Sequence, residues 1–151
     1  MKIALGSDHA GVAARRQIIR MLQESGVECL DLGTGEGQPA DYPDKAAEVA
    51  RLVADGTCTF GILICGTGIG MSIAANKVCG IRAAACHDAY TTEMARRHNH
   101  ANILCLGARV ISADDMERLV RIWIDTQPEG GRHDRRVAKI HQIEQQNLLN
   151  P

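Results

Sequence analysis

The stretch Gly61-Ile62-Leu63-Ile64-Cys65-Gly66-Thr67-Gly68-Ile69-Gly70 ends an apolar run in a thiol and follows it at once with a turn rich in glycine. The apolar run reads as a buried strand, and Met71 to Lys77 reads as a helix, so Cys65 stands at a strand-to-helix junction. Free N–H groups at such a junction favour an anion, or an oxygen that becomes one. A thiol among them is drawn toward the thiolate, the form that acts as nucleophile or base.

Both roles are open on residue types alone. A cysteine phosphatase needs an arginine six residues on to close its phosphate cradle, and that position holds Met71. A cysteine hydrolase needs a base and a group to orient it, types that His98 and Asn99 supply. Elsewhere, Glu129-Gly130-Gly131-Arg132-His133-Asp134-Arg135-Arg136 is the densest basic segment. Arg132 and Arg136 are one helical turn apart, so they either converge on one phosphate or form a solvated helix start. His9, His87, His98, His100 and Asp88 are metal-ligating types, but their spacing matches no familiar ligand pattern, and no metal is expected. Neither glycine-rich turn, Gly6 to Gly11 or Gly66 to Gly70, completes a dinucleotide fingerprint, and no Gly-Lys-Ser/Thr ending is present.

The elements that must hold these residues alternate along the chain. Lys2 to Gly6, Val27 to Leu32, Thr59 to Cys65, Ile81 to Cys86 and Asn102 to Gly107 read as short buried strands. Helical patterns separate them: Ala14, Ile18, Met21 and Leu22 form one apolar stripe, and a second helix runs from about Asp44 to Ala54 after a Gly- and Pro-rich loop, Gly33 to Pro43. A further helix opens at Ser112 and ends at Pro128, and a mostly polar one runs from Asp134 to Asn147. This alternation predicts an α/β fold, a five-stranded parallel sheet between two helical layers, as one domain over residues 1–151.

In such a sheet ligands bind beyond the carboxyl ends of the strands. Ser7, Asp8 and His9 fall there, as do Cys65 and Thr67, His87 and Asp88, and Arg109. His98, Asn99 and His100 do not; they precede the last strand and belong at the opposite edge. If His98 joins the site, a neighbouring subunit or an unusual helix angle would supply it more easily than a simple parallel arrangement of the same chain, and the polar last helix reads either as a solvated surface or as an arm packed on a second subunit.

Among 151 residues 45% are hydrophobic, the formal net charge is -1, and the aromatics are only Phe60, Trp123, Tyr42 and Tyr90. That composition suits a soluble domain binding a small solute and excludes a nucleic-acid surface, which needs basic patches and stacking platforms. No apolar run approaches the roughly 20 residues of a membrane span, and no secretory signal opens the chain. Six cysteines without paired spacing fit a reducing cytoplasm better than a disulfide set.

Gly6-Ser7-Asp8-His9-Ala10-Gly11, Asp41-Tyr42-Pro43, Ile64 to Gly70, Arg97-His98-Asn99 and Glu129 to His133 together closely resemble the ribose-5-phosphate isomerase type B family, which also holds allose- and galactose-6-phosphate isomerases. The resemblance spans nearly the whole chain. It implies a Rossmann-like fold and a cofactor-free aldose–ketose isomerase acting on ribose 5-phosphate, working as a homodimer or dimer of dimers with shared sites. It also implies that Cys65 is the base carrying a proton between C2 and C1, and that His98, aided by Thr67, opens the sugar ring. Gly66, Thr67, Gly68, Ile69 and Gly70 would hold the enediolate oxygen, Asp8, His9 and Asn99 would touch substrate, and Arg109, Arg132 and Arg136 would complete the site and its phosphate grip. Some members use a glutamate as base, but no acidic residue lies between Gly61 and Gly80. His87 and His100 fall outside the family pattern and receive no role. A thiol hydrolase using Cys65 and His98, and a non-catalytic phosphosugar sensor, are the rival readings.

Overall fold

The computed structural model describes residues 1–149. Five strands, β1 (Lys2–Ser7), β2 (Glu28–Asp31), β3 (Phe60–Cys65), β4 (Ala83–Ala85) and β5 (Ile103–Gly107), form one sheet in the order β2-β1-β3-β5-β4. Every pairing is parallel. Six helices surround it: α1 (Val12–Glu24), α2 (Tyr42–Ala54), α3 (Ile69–Ala75), α4 (Ala89–Asn99), α5 (Ala113–Asp125) and α6 (Arg132–Leu149). The expected α/β architecture is therefore present, with all five strands where the apolar runs predicted them.

Strand periodicity divides the core in two. Side chains alternate across the sheet, so Ile3, Leu5, Ile62, Ile64, Leu104 and Leu106 pack with α1, α4 and α5. Ala4, Leu63, Cys65, Ile103 and Cys105 face the other way, onto α2 and α3. Cys65 thus emerges on the α2/α3 side of the sheet. On the α1/α5 side, Trp123 is fully buried and packs edge-on against Phe60 at 6.2 Å between ring centroids.

Element ends moved by a few residues from their predicted places. α2 starts at Tyr42 rather than Asp44, because Pro43 occupies its first turn, where a missing N–H costs nothing. α3 starts at Ile69 rather than Met71, so Ile69 and Gly70 belong to the helix and not to the turn before it. α6 is longer than expected and less uniformly polar, since His133 and Val137 are buried while Ile140, Ile143, Leu148 and Leu149 lie exposed along it. Among the described residues, no helix is long and apolar enough to cross a membrane.

Strand order also fixes where a crevice opens. From β1 the chain crosses to β2 on one side, and from β3 it moves toward β5 and β4 on the other, so the carboxyl ends of β1 and β3 lie at the switch in direction. The end of β5 then supports the turn after β3: Cys65 is in register with Gly107, and the Ala108 and Arg109 N–H groups donate to the Cys65 and Gly66 carbonyls at 2.8 and 3.0 Å. Gly107 must lack a side chain, because a Cβ there would lie 2.9 Å from the Thr67 carbonyl carbon and oxygen. Both contacts are backbone and cannot move independently. Gly107→Ala is expected to lower stability by about 1–3 kcal/mol in denaturant unfolding, and an unchanged midpoint would contradict this close approach.

Candidate active site

Cys65 ends β3 with its side chain only 5% exposed, yet it forms part of the wall of a cavity of about 400 Å³. Asp8, Tyr42, Gly66, Thr67, Ile69, Gly70 and Arg109 line the rest of it. Three strands contribute: Asp8 follows β1, Cys65 ends β3 and Arg109 follows β5, at the crevice that the strand order opens. The sulfur is therefore accessible to a small solute while sheltered from bulk water.

Local backbone geometry explains the glycines. Gly68 caps α3 with φ +77°, a left-handed conformation that L side chains rarely adopt, and a Cβ there would lie 3.1 Å from the Cys105 carbonyl oxygen. This bend turns the Gly68 N–H back onto Cys65, where it donates to Sγ at 3.2 Å. The Thr67 hydroxyl accepts from the Ile69 N–H at 3.4 Å. Gly70 makes room for Tyr42, whose ring would stand 2.7 Å from a Cβ at that position. α3 is only seven residues long, so individual amides, more than a helix dipole, set the electrostatics beside the sulfur.

Several other thiols are held inert. Burial pushes Cys29, Cys58 and Cys105 up, and pushes Cys86 to about 11. Cys79, exposed, is raised chiefly by a hydrogen bond to Glu144. Asp8 is buried and its carboxylate accepts from the Ala10 N–H at 2.9 Å, which fixes its direction at the cavity wall.

The remaining predicted site residues lie elsewhere on this chain. His9 is exposed and lines a separate cleft with Arg16 and Glu36. His98, near the end of α4, stacks on the His133 ring at 4.1 Å and 5° and sits 3.8 Å from Glu129. Asn99 lies beside Arg82 and Ile140, and its carbonyl accepts from the Arg82 guanidinium at 3.1 Å. Arg132 and Arg136 project from the first two turns of α6, exposed. Five residues of β5 separate His98, Asn99, Arg132 and Arg136 from the Cys65 edge, roughly 15 Å at strand rise, whereas His9 follows β1 at that edge. Within one chain, then, Cys65 and His98 form no dyad, as the topology predicted.

His98, Glu129 and His133 bring three potential metal-ligand atoms within 4.8 Å of one another. Cations already occupy two of them: Arg132 Nε donates to His133 Nε2 at 3.2 Å, and Arg97 pairs with Glu129 at 3.0 Å. The His133 ring is pushed down, first by burial and then by His98 and Arg132. This cationic cluster suits an anion better than a metal ion. Two residues went unassigned from sequence: Tyr42, which walls the Cys65 cavity, and His87, whose Nε2 lies 2.9 Å from the Thr67 carbonyl oxygen. The sequence signal for Tyr42 was its place in Asp41-Tyr42-Pro43; for His87 it was position alone, at the carboxyl end of a strand.

Comparison with known proteins agrees with this geometry. Ribose-5-phosphate isomerase B of Escherichia coli strain K12 is 47% identical over 144 residues, covering 95% of this chain and 97% of its own. A solved ribose-5-phosphate isomerase B from Clostridium thermocellum superposes with a TM-score of 0.95 at 49% identity, covering 97% of this chain and 99% of that one. A Mycoplasma genitalium ribose-5-phosphate isomerase B, solved with bound ribulose-5-phosphate, superposes with a TM-score of 0.92 at 38% identity over 95% and 96% of the two chains. The model of the Ribose/Galactose Isomerase family matches residues 3–140, and the chain belongs to that family.

Proposed function

We propose that this chain interconverts ribose 5-phosphate and ribulose 5-phosphate by moving a proton between C2 and C1, with the Cys65 thiolate as base. The observation that carries this reading is a thiol at the wall of a solute-sized cavity with a backbone N–H aimed at its sulfur. The relatives' names and the ribulose-5-phosphate held by the Mycoplasma genitalium enzyme support the substrate.

The chemistry follows from what each group can do. In the open-chain aldose, Cys65 takes the proton from C2, and the electron pair moves through the new C1–C2 double bond onto the C1 oxygen. That oxygen becomes the enediolate anion. Gly66, Thr67, Ile69 and Gly70 line the cavity, and backbone N–H groups of this turn would stabilise that anion, an effect worth about a hundredfold or more in rate per donor. The C2 hydroxyl proton then passes to the C1 oxygen while the same sulfur returns its proton to C1, so that C2 becomes the carbonyl and the ketose results. No electrons enter or leave the substrate, so the isomerisation itself demands no redox partner. Thr67, Asp8 and Arg109 surround the reacting carbons, with Tyr42 closing one wall.

Ring opening and phosphate binding call for groups this chain holds at its other edge. His98 as the acid for ring opening, Asn99 as a substrate contact and Arg132 with Arg136 as the phosphate grip fit a homodimer in which each site is shared, with His9, which follows β1 beside Asp8, as a substrate contact from the Cys65 edge. Exposed apolar side chains support such a partner: Tyr42, Ile69, Ile73 and Val110 near the Cys65 cavity, and Ile140 and Ile143 on α6. Phosphate bound far from the reacting carbons contributes binding energy that holds the sugar in register. A cytoplasmic setting fits the reduced cysteines.

Cys65→Ala and His98→Ala should each lower kcat by about 10² to 10⁴. Co-refolded as a mixture, they should regain activity, since a heterodimer contains one site with both groups; a mixture no more active than its components would refute the shared site. Arg132→Ala and Arg136→Ala should raise KM for the phosphosugar at least about tenfold with a smaller change in kcat, and unchanged KM in both would remove them from the phosphate grip.

A further inference from the structure

His87 follows β4, two strands away from β3 in the sheet, yet its ring reaches the turn after Cys65. Its Nε2 lies 2.9 Å from the Thr67 carbonyl oxygen. A carbonyl can only accept, so Nε2 carries the proton whether the ring is neutral or charged. The Thr67 carbonyl belongs to the same peptide group as the Gly68 N–H, and that N–H donates to Cys65 Sγ at 3.2 Å. One planar amide therefore links the two side chains: the imidazole holds its oxygen and the sulfur receives its hydrogen.

This amide has reason to need holding. Gly66 and Gly68 flank Thr67, so the backbone on either side is unusually free to rotate. If the peptide flipped, the Thr67 oxygen would face the sulfur, placing a lone pair against the charge that the base must carry. A donor on the carbonyl blocks the flip, and it also polarises the amide so that its N–H becomes a stronger donor.

We propose that His87 is a positioning residue that locks the Thr67–Gly68 peptide with its N–H on the Cys65 sulfur and so sustains the thiolate. The proposal rests on the reading of Cys65 as base, but the link between His87 and the sulfur is measurable without it. The other charged groups lining the cavity are Asp8 and Arg109.

The test compares wild type with His87→Ala, which removes the donor, and His87→Gln, which restores an N–H of similar reach. Two readouts are taken: the steady-state kinetics of ribose 5-phosphate isomerisation, and the rate at which iodoacetamide alkylates Cys65 at pH 7, followed at that residue by mass spectrometry. His87→Ala should lower kcat about tenfold or more with KM little changed, and should slow Cys65 alkylation about threefold or more. His87→Gln should recover most of both. Alkylation as fast in His87→Ala as in wild type, or a Gln variant no better than Ala, would overturn the proposal. Slowed alkylation with full isomerase activity retained in Cys65→Ala would uphold the His87 link and sink the base assignment instead, so the two failures are distinguishable.

Discussion

The hydrogen bond from the Gly68 N–H to the Cys65 sulfur is the contact on which the site depends, and much of the surrounding structure serves to make it possible. It requires a left-handed turn at residue 68, which only glycine adopts without strain, and a neighbouring strand end that passes close beneath the turn. Gly107 permits that passage, and Gly70 lets Tyr42 close the opposite wall. The glycines are therefore explained mainly by packing around one sulfur.

The sheet supplies the other half of the account. A parallel sheet collects the ends of β1, β3 and β5 at one edge and delivers Asp8, Cys65 and Arg109 there from distant parts of the sequence. It also sends the end of α4 to the far edge, where His98 stacks on His133 among Arg97, Arg132 and Glu129. An isomerase needs a base at the reacting carbons and cations at the phosphate, separated by the length of the sugar. Dividing the two between opposite edges of one subunit is why the proposed active site calls on a second subunit.

Much of this was legible in the residues. Apolar runs located the strands, most plainly the central β1, β3 and β5, which are buried on both faces and so apolar nearly throughout, and Cys65 was distinguished from the other thiols by the turn behind it. Element ends were less legible: Pro43 and Ile69 lie inside helices whose first turns resemble loops in composition. His87 was invisible as a contributor because its importance comes from an approach across two strands, which no local pattern encodes. The place of His98 at the far edge was readable from chain order alone.

The central claim, that hydrogen moves as a proton on Cys65, is tested most directly by following ribose 5-phosphate labelled with deuterium at C2 through a single turnover in ordinary water. The account predicts that deuterium escapes from the product into solvent in part or in full, with any remainder at C1, and that Cys65→Ala abolishes this exchange. Complete retention of the label at C1, as a direct hydride shift would give, would contradict it.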